Sequence, residues 1–169
     1  MEPSMNIITW IPCSERAWEH QHGDFLSMLR KYGRRRISSE AYRALMKLTY
    51  ADLLNTGSSV LLATIQAEDG TRLAGFSIVT DYGKEISLVL VHPLYRGQGI
   101  GSQLLAKQLS ILGELSCQVA LDNISCLQMC FHAGLSAKRL IKVRGGKAML
   151  LLDEKPLALV SAMNILQRR

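Results

Sequence analysis

The sequence has no apolar run reaching the ~18 residues that a membrane-spanning helix needs. Its first residues, Met1-Glu2-Pro3-Ser4, lack the basic and apolar regions of a secretory leader. The four cysteines, Cys13, Cys117, Cys126 and Cys130, show neither zinc-site spacing nor a Cys-x-x-Cys pair. There is no Ser-His-Asp order, no His-Glu-x-x-His and no pair of catalytic carboxylates. Internal repeats, long linkers and low-complexity segments are also missing. Together these absences argue against a membrane protein, a disulfide scaffold, a metal site and hydrolase chemistry. The expectation is a cytoplasmic protein with reduced thiols. Cys126 and Cys130 fall one turn apart if their segment is helical, and buried apolar packing is the simplest use for both.

What is present suits one domain with a real core. The chain has 169 residues, 48% of them hydrophobic and 20% charged. Its net charge is +6 and its pI about 9.3. The basic residues gather in two places: Arg30-Lys31 with Arg34-Arg35-Arg36, and Lys138-Arg139 through Lys142, Arg144 and Lys147. Such a balance suits anionic partners without choosing among them, and either cluster is also explained as a solvated basic face.

Hydrophobic periodicity then gives an element order. Residues 6–11 read as a strand. A helix capped by Ser14 and ended by Gly33 follows, with Trp18, Phe25, Leu29 and Tyr32 on one face. A second helix, capped by Ser38 or Ser39, runs to Asn55-Thr56-Gly57. Three strands come next, at 60–67, 73–80 and 85–91, joined by turns at 68–71 and 81–84. A helix over 102–112, a strand at 118–121, a helix over 124–133 and two strands at 137–143 and 147–152 complete the body. Residues 1–155 therefore read as one domain and 156–169 as an amphipathic tail.

The most informative segment joins the third meander strand to the next helix: Val91-His92-Pro93-Leu94-Tyr95-Arg96-Gly97-Gln98-Gly99-Ile100-Gly101. A strand, a glycine turn and a helix start make a place for a phosphate, because the first helical N–H groups are unpaired and lie at the positive end of the dipole. Arg96 adds charge at the mouth. A P-loop is excluded, since no Lys follows Gly101. The dinucleotide fingerprint fits poorly because its third glycine is misplaced, although Asp122 falls near the distance at which that fingerprint expects an acid.

Val-x-Pro followed by Arg-x-x-Gly-x-Gly, between a strand and an amphipathic helix, resembles the acetyl-CoA motif of the GNAT superfamily of N-acyltransferases. The order β-α-α-β-β-β-α-β-α-β-β matches that family over about nine-tenths of the chain. A second anchor is Asn123-Ile124-Ser125-Cys126-Leu127-Gln128-Met129-Cys130-Phe131-His132-Ala133-Gly134-Leu135. It keeps the spacing of the family's Asn-x-x-Ala-x-x-x-Tyr-x-x-x-Gly-Phe, with Cys126 for Ala, Cys130 for Tyr and Leu135 for Phe.

The resemblance implies an α/β (α+β) GNAT fold with a mixed central sheet of about seven strands. It implies acetyl-CoA as cosubstrate, with no metal, and acetyl transfer to a primary amine. Backbone of Val89, Leu90 and Val91 would pair with the pantetheine arm. The turn from Arg96 through Gly97, Gln98, Gly99, Ile100, Gly101 and Ser102 would hold the pyrophosphate. Asn123 would approach the pantetheine or the acceptor, act as a helix cap, or do both. Cys130 stands where the family's leaving-group acid stands, and water, another residue or solvent are the alternatives. Glu85 is the best-placed carboxylate for a base, and equally an exposed turn residue. The basic clusters favour an anionic acceptor: an acidic peptide, a nucleotide-bearing metabolite or RNA. The rival reading is a CoA-binding module of this fold with a regulatory or nucleic-acid-binding role. A homodimer sealed by residues 157–166 is open.

Overall fold

The protein is described from a computed structural model covering residues 4–142 and 145–154. Its seven strands and five α-helices follow the expected order, with one long helical stretch divided in two. Ser14 caps α1 (Glu15–Tyr32), its side chain accepting from Ala17 N–H. Ser38 rather than Ser39 caps α2 (Ser39–Lys47). The second helix does not run on to Leu54. Leu48 is extended, and Thr49 starts a separate one-turn helix, α3 (Tyr50–Leu53), through a reciprocal capping box with Asp52. Local side-chain bonds thus override a continuous apolar periodicity.

The expected single mixed sheet is in fact two sheets, each antiparallel throughout. The strands β1 (Met5–Thr9), β2 (Ser59–Ala67), β3 (Gly70–Thr80) and β4 (Ile86–Val91) pair in sequence order. The strands β5 (Leu115–Ala120), β6 (Ser136–Lys142) and β7 (Ala148–Glu154) pair in the order β5-β7-β6. No ladder joins β4 to β5 among the described residues, so the molecule is parted there. One polar contact crosses the parting, between Ser87 Oγ and Cys117 Sγ at 2.9 Å.

Three apolar clusters hold the layers. On one face of the first sheet, Phe25 of α1 stacks on Phe76 of β3 with ring centroids 4.3 Å apart, among Trp18, Leu29, Leu45 and Leu88. On the other face, Leu104 and Ile100 of α4 (Ile100–Leu112) pack against Leu61, Ala63 and Ala74. Leu105 of the same helix turns to the second sheet and to Leu127 and Cys130 of α5 (Ile124–His132). So α4 fastens the two sheets together across their parting, and its N-terminus is fixed by both. No helix among the described residues is long and apolar enough to cross a membrane. The tail from residue 156 onward, Arg144, and with them the dimer seal, lie outside the described residues.

Gln108 of α4 is fully buried under the first sheet. Its Nε2 donates to Ser59 O, Ser77 O and Ser77 Oγ, at 3.2, 3.4 and 3.2 Å. Gln108→Glu puts a carboxyl against those same oxygens, so its folded-state pKa rises above the ~4.3 of an unfolded glutamate. The unfolded state then loses its proton first. Relative to the parent, the variant should lose about 1.4 kcal/mol of stability per pH unit from about pH 4 upward, until its folded pKa is reached. Urea unfolding between pH 4 and 7 checks this.

Candidate functional site

The parting of the sheets creates a groove. Its outer part is a cavity of about 410 Å³ beside the N-terminus of α4. Its inner part, about 160 Å³, lies between β4 and β5. The two share Arg36, Val89, Asn123, Cys126 and Met129 in their walls, which makes them one continuous site.

The outer wall is the glycine turn. Gly99 is the N-cap of α4 with φ of +78°, and no side chain caps the helix. A residue with a Cβ is strained in that conformation. The N–H groups of the first turn therefore face the cavity walls formed by Gly97, Gly99, Ile100, Gly101 and Ser102. Gly101 has a different task. A Cβ there would run into the sulfur of Met129, so this glycine sets how closely α4 and α5 approach. Of the predicted cofactor residues, Gln98 alone is absent from the cavity wall and is exposed.

The side wall is the free edge of β4. His92 N–H donates to Ala74 O at 2.7 Å, in the same register as the Val91–Gly75 and Leu90–Phe76 partners. In an antiparallel pair, hydrogen-bonded residues alternate. The backbone groups of Leu90 thus point to β3, and those of Val89 and Val91 point away from it, the Val91 carbonyl accepting from Arg96. Backbone pairing was expected from all three residues. The alternation leaves Leu90 only a wall position.

Arg96 was expected to offer its charge to a ligand. It lines the outer cavity, and two of its nitrogens are already engaged there: Nε donates to Val91 O at 3.0 Å and Nη2 to Tyr32 O at 3.1 Å. It ties the end of β4 to the last carbonyls of α1, where a cation also suits the helix dipole. Burial first, and then the Arg36 guanidinium, pull Arg96 below an arginine's ordinary value. Arg36, which the sequence marked only as one of a basic run, is the exposed cation lining both cavities.

Asn123 is the N-cap of α5. Its Oδ1 accepts from Cys126 N–H at 3.3 Å, and its Nδ2 donates to Arg36 O at 3.3 Å across the groove. The side chain spends its oxygen on the cap and its amide on holding the loop after α1.

Below it lies a group of three thiols. Cys130 is 1% exposed and Cys117 5%, while Cys126 is half-buried and lines both cavities. Hydrogen bonds to Cys117 and then Cys126, with burial adding to them, push Cys130 far above an ordinary thiol, so it keeps its proton. The Cys130 hydrogen bond lowers Cys126 against the opposing effect of burial. It likewise lowers Cys117, with Ser87 assisting. A thiol has one proton to donate, so Cys130 serves one neighbour at a time. Cys117 was read from the sequence only as one of four reduced thiols. Its alternation with Leu115 and Val119 on β5 was the available signal that it faces the core. Glu85 is exposed and lines neither cavity, so the structure does not bring it to the groove.

Comparison with known proteins agrees with this architecture. The model of the acetyltransferase (GNAT) family matches residues 25–129, well over half of the chain. The fold is shared with a GNAT-family protein from Desulfovibrio desulfuricans, at 14% identity and a TM-score of 0.66, covering 90% of this chain and 99% of that one. It is shared with YncA from Salmonella typhimurium, solved with its cofactor acetyl-CoA, at 13% identity and a TM-score of 0.57, covering 89% and 93%. The aminoglycoside acetyltransferase AAC(6')-Ib, solved with coenzyme A and kanamycin, has 12% identity and a TM-score of 0.59, covering 94% and 98%. No curated protein matches the chain by sequence.

Two variants test the walls. Gly101→Val should cost about 1–3 kcal/mol, because a branched side chain displaces Met129 from a packed helix contact. Arg96→Met should cost more, up to about 3–6 kcal/mol, because it removes two charged hydrogen bonds worth about 1.5–3 kcal/mol each. Denaturant unfolding of both measures these losses.

Proposed function

The chain belongs to the acetyltransferase (GNAT) family, and from that premise we propose that it transfers an acetyl group from acetyl-CoA to a primary amine. One observation supports this most directly: the uncapped first turn of α4 and the unpaired edge of β4 line the same cavity. The first suits a pyrophosphate and the second suits the amide-bearing pantetheine arm, laid alongside as an added strand.

In this reading the pyrophosphate lies against the N–H groups of residues 100–102. The arm runs along Val91 and Val89, and the thioester enters the parting between β4 and β5. The amine nitrogen attacks the thioester carbonyl, the C–S bond breaks, and CoA leaves as thiolate. An N–H of Val89 or Val91 aimed at the developing oxyanion is worth about 3 kcal/mol of barrier. The amine loses one proton and the thiolate takes one up. Cys130 lines the inner cavity, but a thiol held so firmly protonated is a weaker acid than the CoA thiol, so solvent supplies this proton. Glu85 lines neither cavity, and water takes the role of base.

For the acceptor, we propose a molecule carrying negative charge beside its amine, such as an acidic peptide, a nucleotide-bearing metabolite or RNA. The support is Arg36 in both cavity walls, next to Arg34 and Arg35. A second reading has its own observation. Cys130 is engaged with two other thiols, and a chain that binds CoA without turning it over would look the same.

Acetyl-CoA at about 100 times its Kd should stabilise the protein by about 2.7 kcal/mol, read as a rise in melting temperature. No shift at millimolar ligand overturns both readings. CoA release over a panel of anionic amines separates them: release marks the transferase, and binding without release marks the module.

A further inference from the structure

The inner cavity is larger than an acetyl group needs. At about 30 Å³ for each small group, its volume of about 160 Å³ takes about five, and an acetyl carbonyl and methyl fill about two of them. Its floor is apolar: Leu105, Val119, Met129 and Met149, with the small side chains of Cys117 and Cys130 between them. Of the uncharged polar residues that line it, Ser87 already has its bond to Cys117 Sγ at 2.9 Å, Ser38 and Asn123 cap α2 and α5, and Gln118 is exposed. Arg36 is the one charged residue in the wall, and it also lines the outer cavity. Nothing on the floor satisfies a cation or a strongly polar group, and burying either there is costly. An amine acceptor is therefore poorly suited to the floor, whereas an alkyl chain asks for nothing more than apolar contact.

We infer that the inner cavity between β4 and β5 is an acyl-chain pocket, and that the chain takes linear acyl-CoA donors longer than acetyl, of about four carbons. The inference rests on the reading that CoA lies along α4 and β4, because that arm delivers its thioester to this cavity. Met129 and Met149 are unbranched and adaptable, which lets the wall close on chains of different length. The transfer step is unchanged: the acyl carbonyl carbon passes from sulfur to nitrogen with its whole chain.

Titration calorimetry of the full chain with CoA and with acetyl-, propionyl-, butyryl- and hexanoyl-CoA tests this. Each added methylene from acetyl to butyryl should tighten Kd about fourfold, the equivalent of about 0.8 kcal/mol, with the gain ending once the pocket is full. If CoA binds but Kd is flat or weakens from acetyl onward, the acyl pocket is overturned and the acetyl-CoA reading stands. If CoA itself does not bind, the acetyl-CoA reading falls and the pocket with it. Val119→Phe, which fills the floor, should erase the preference for butyryl over acetyl. A variant that keeps the fourfold steps overturns the placement of the chain. Should that variant fail to fold, the series on the parent protein still decides.

Discussion

Everything in this molecule depends on one strand edge that has no partner. β4 is hydrogen-bonded to β3 on one side, while β5, which could have covered its other side, pairs with β7. An exposed strand edge is normally a liability. Here it is sheltered inside a groove, with α4 bridging the sheets on one side and α5 packed against α4. The cavity, the backbone groups of Val89 and Val91 and the placement of the helix N-terminus follow from that choice of pairing.

The polar side chains around the groove are mostly spent on holding it open. Arg96 binds two carbonyls, Asn123 joins a helix cap to the loop after α1, and Ser87 meets Cys117 across the parting. Besides these, the groove presents the first turn of α4, the exposed Arg36 and apolar walls. This division has a physical logic. A buried charged or amide side chain costs free energy unless its bonds are made, so it is most economically used where those bonds are permanent. Backbone groups on a free edge can face a ligand without such a side chain.

The glycine turn was legible in the residues, and so were α1, α4 and α5. Their signals are local: a cap at Ser14, glycines at 99 and 101, and apolar spacing at one helical period. The split of the second helix was not legible, because the Thr49–Asp52 capping box competes with a periodicity that continues through it. Arg96 and Asn123 were found by motif, but their partners, Tyr32 and Arg36, lie 64 and 87 residues away in sequence. The thiol group is the same case: two members share α5 one turn apart, and the third comes from β5.

By itself, the sequence determined the order of elements, the strand, glycine turn and helix start around residues 91–101, and the resemblance that the family match upheld. Those properties are set by short-range sterics and hydrogen bonding, which a window of a few residues contains. Only the tertiary structure decided that the seven strands form two sheets rather than one. It also decided which backbone groups of β4 point away from β3, that Gly101 serves helix packing, and that Glu85 stands apart. Strand partners and register are chosen by non-local competition for hydrogen bonds and apolar contact. That competition between β4 and β7 for β5 is resolved only when the whole chain packs.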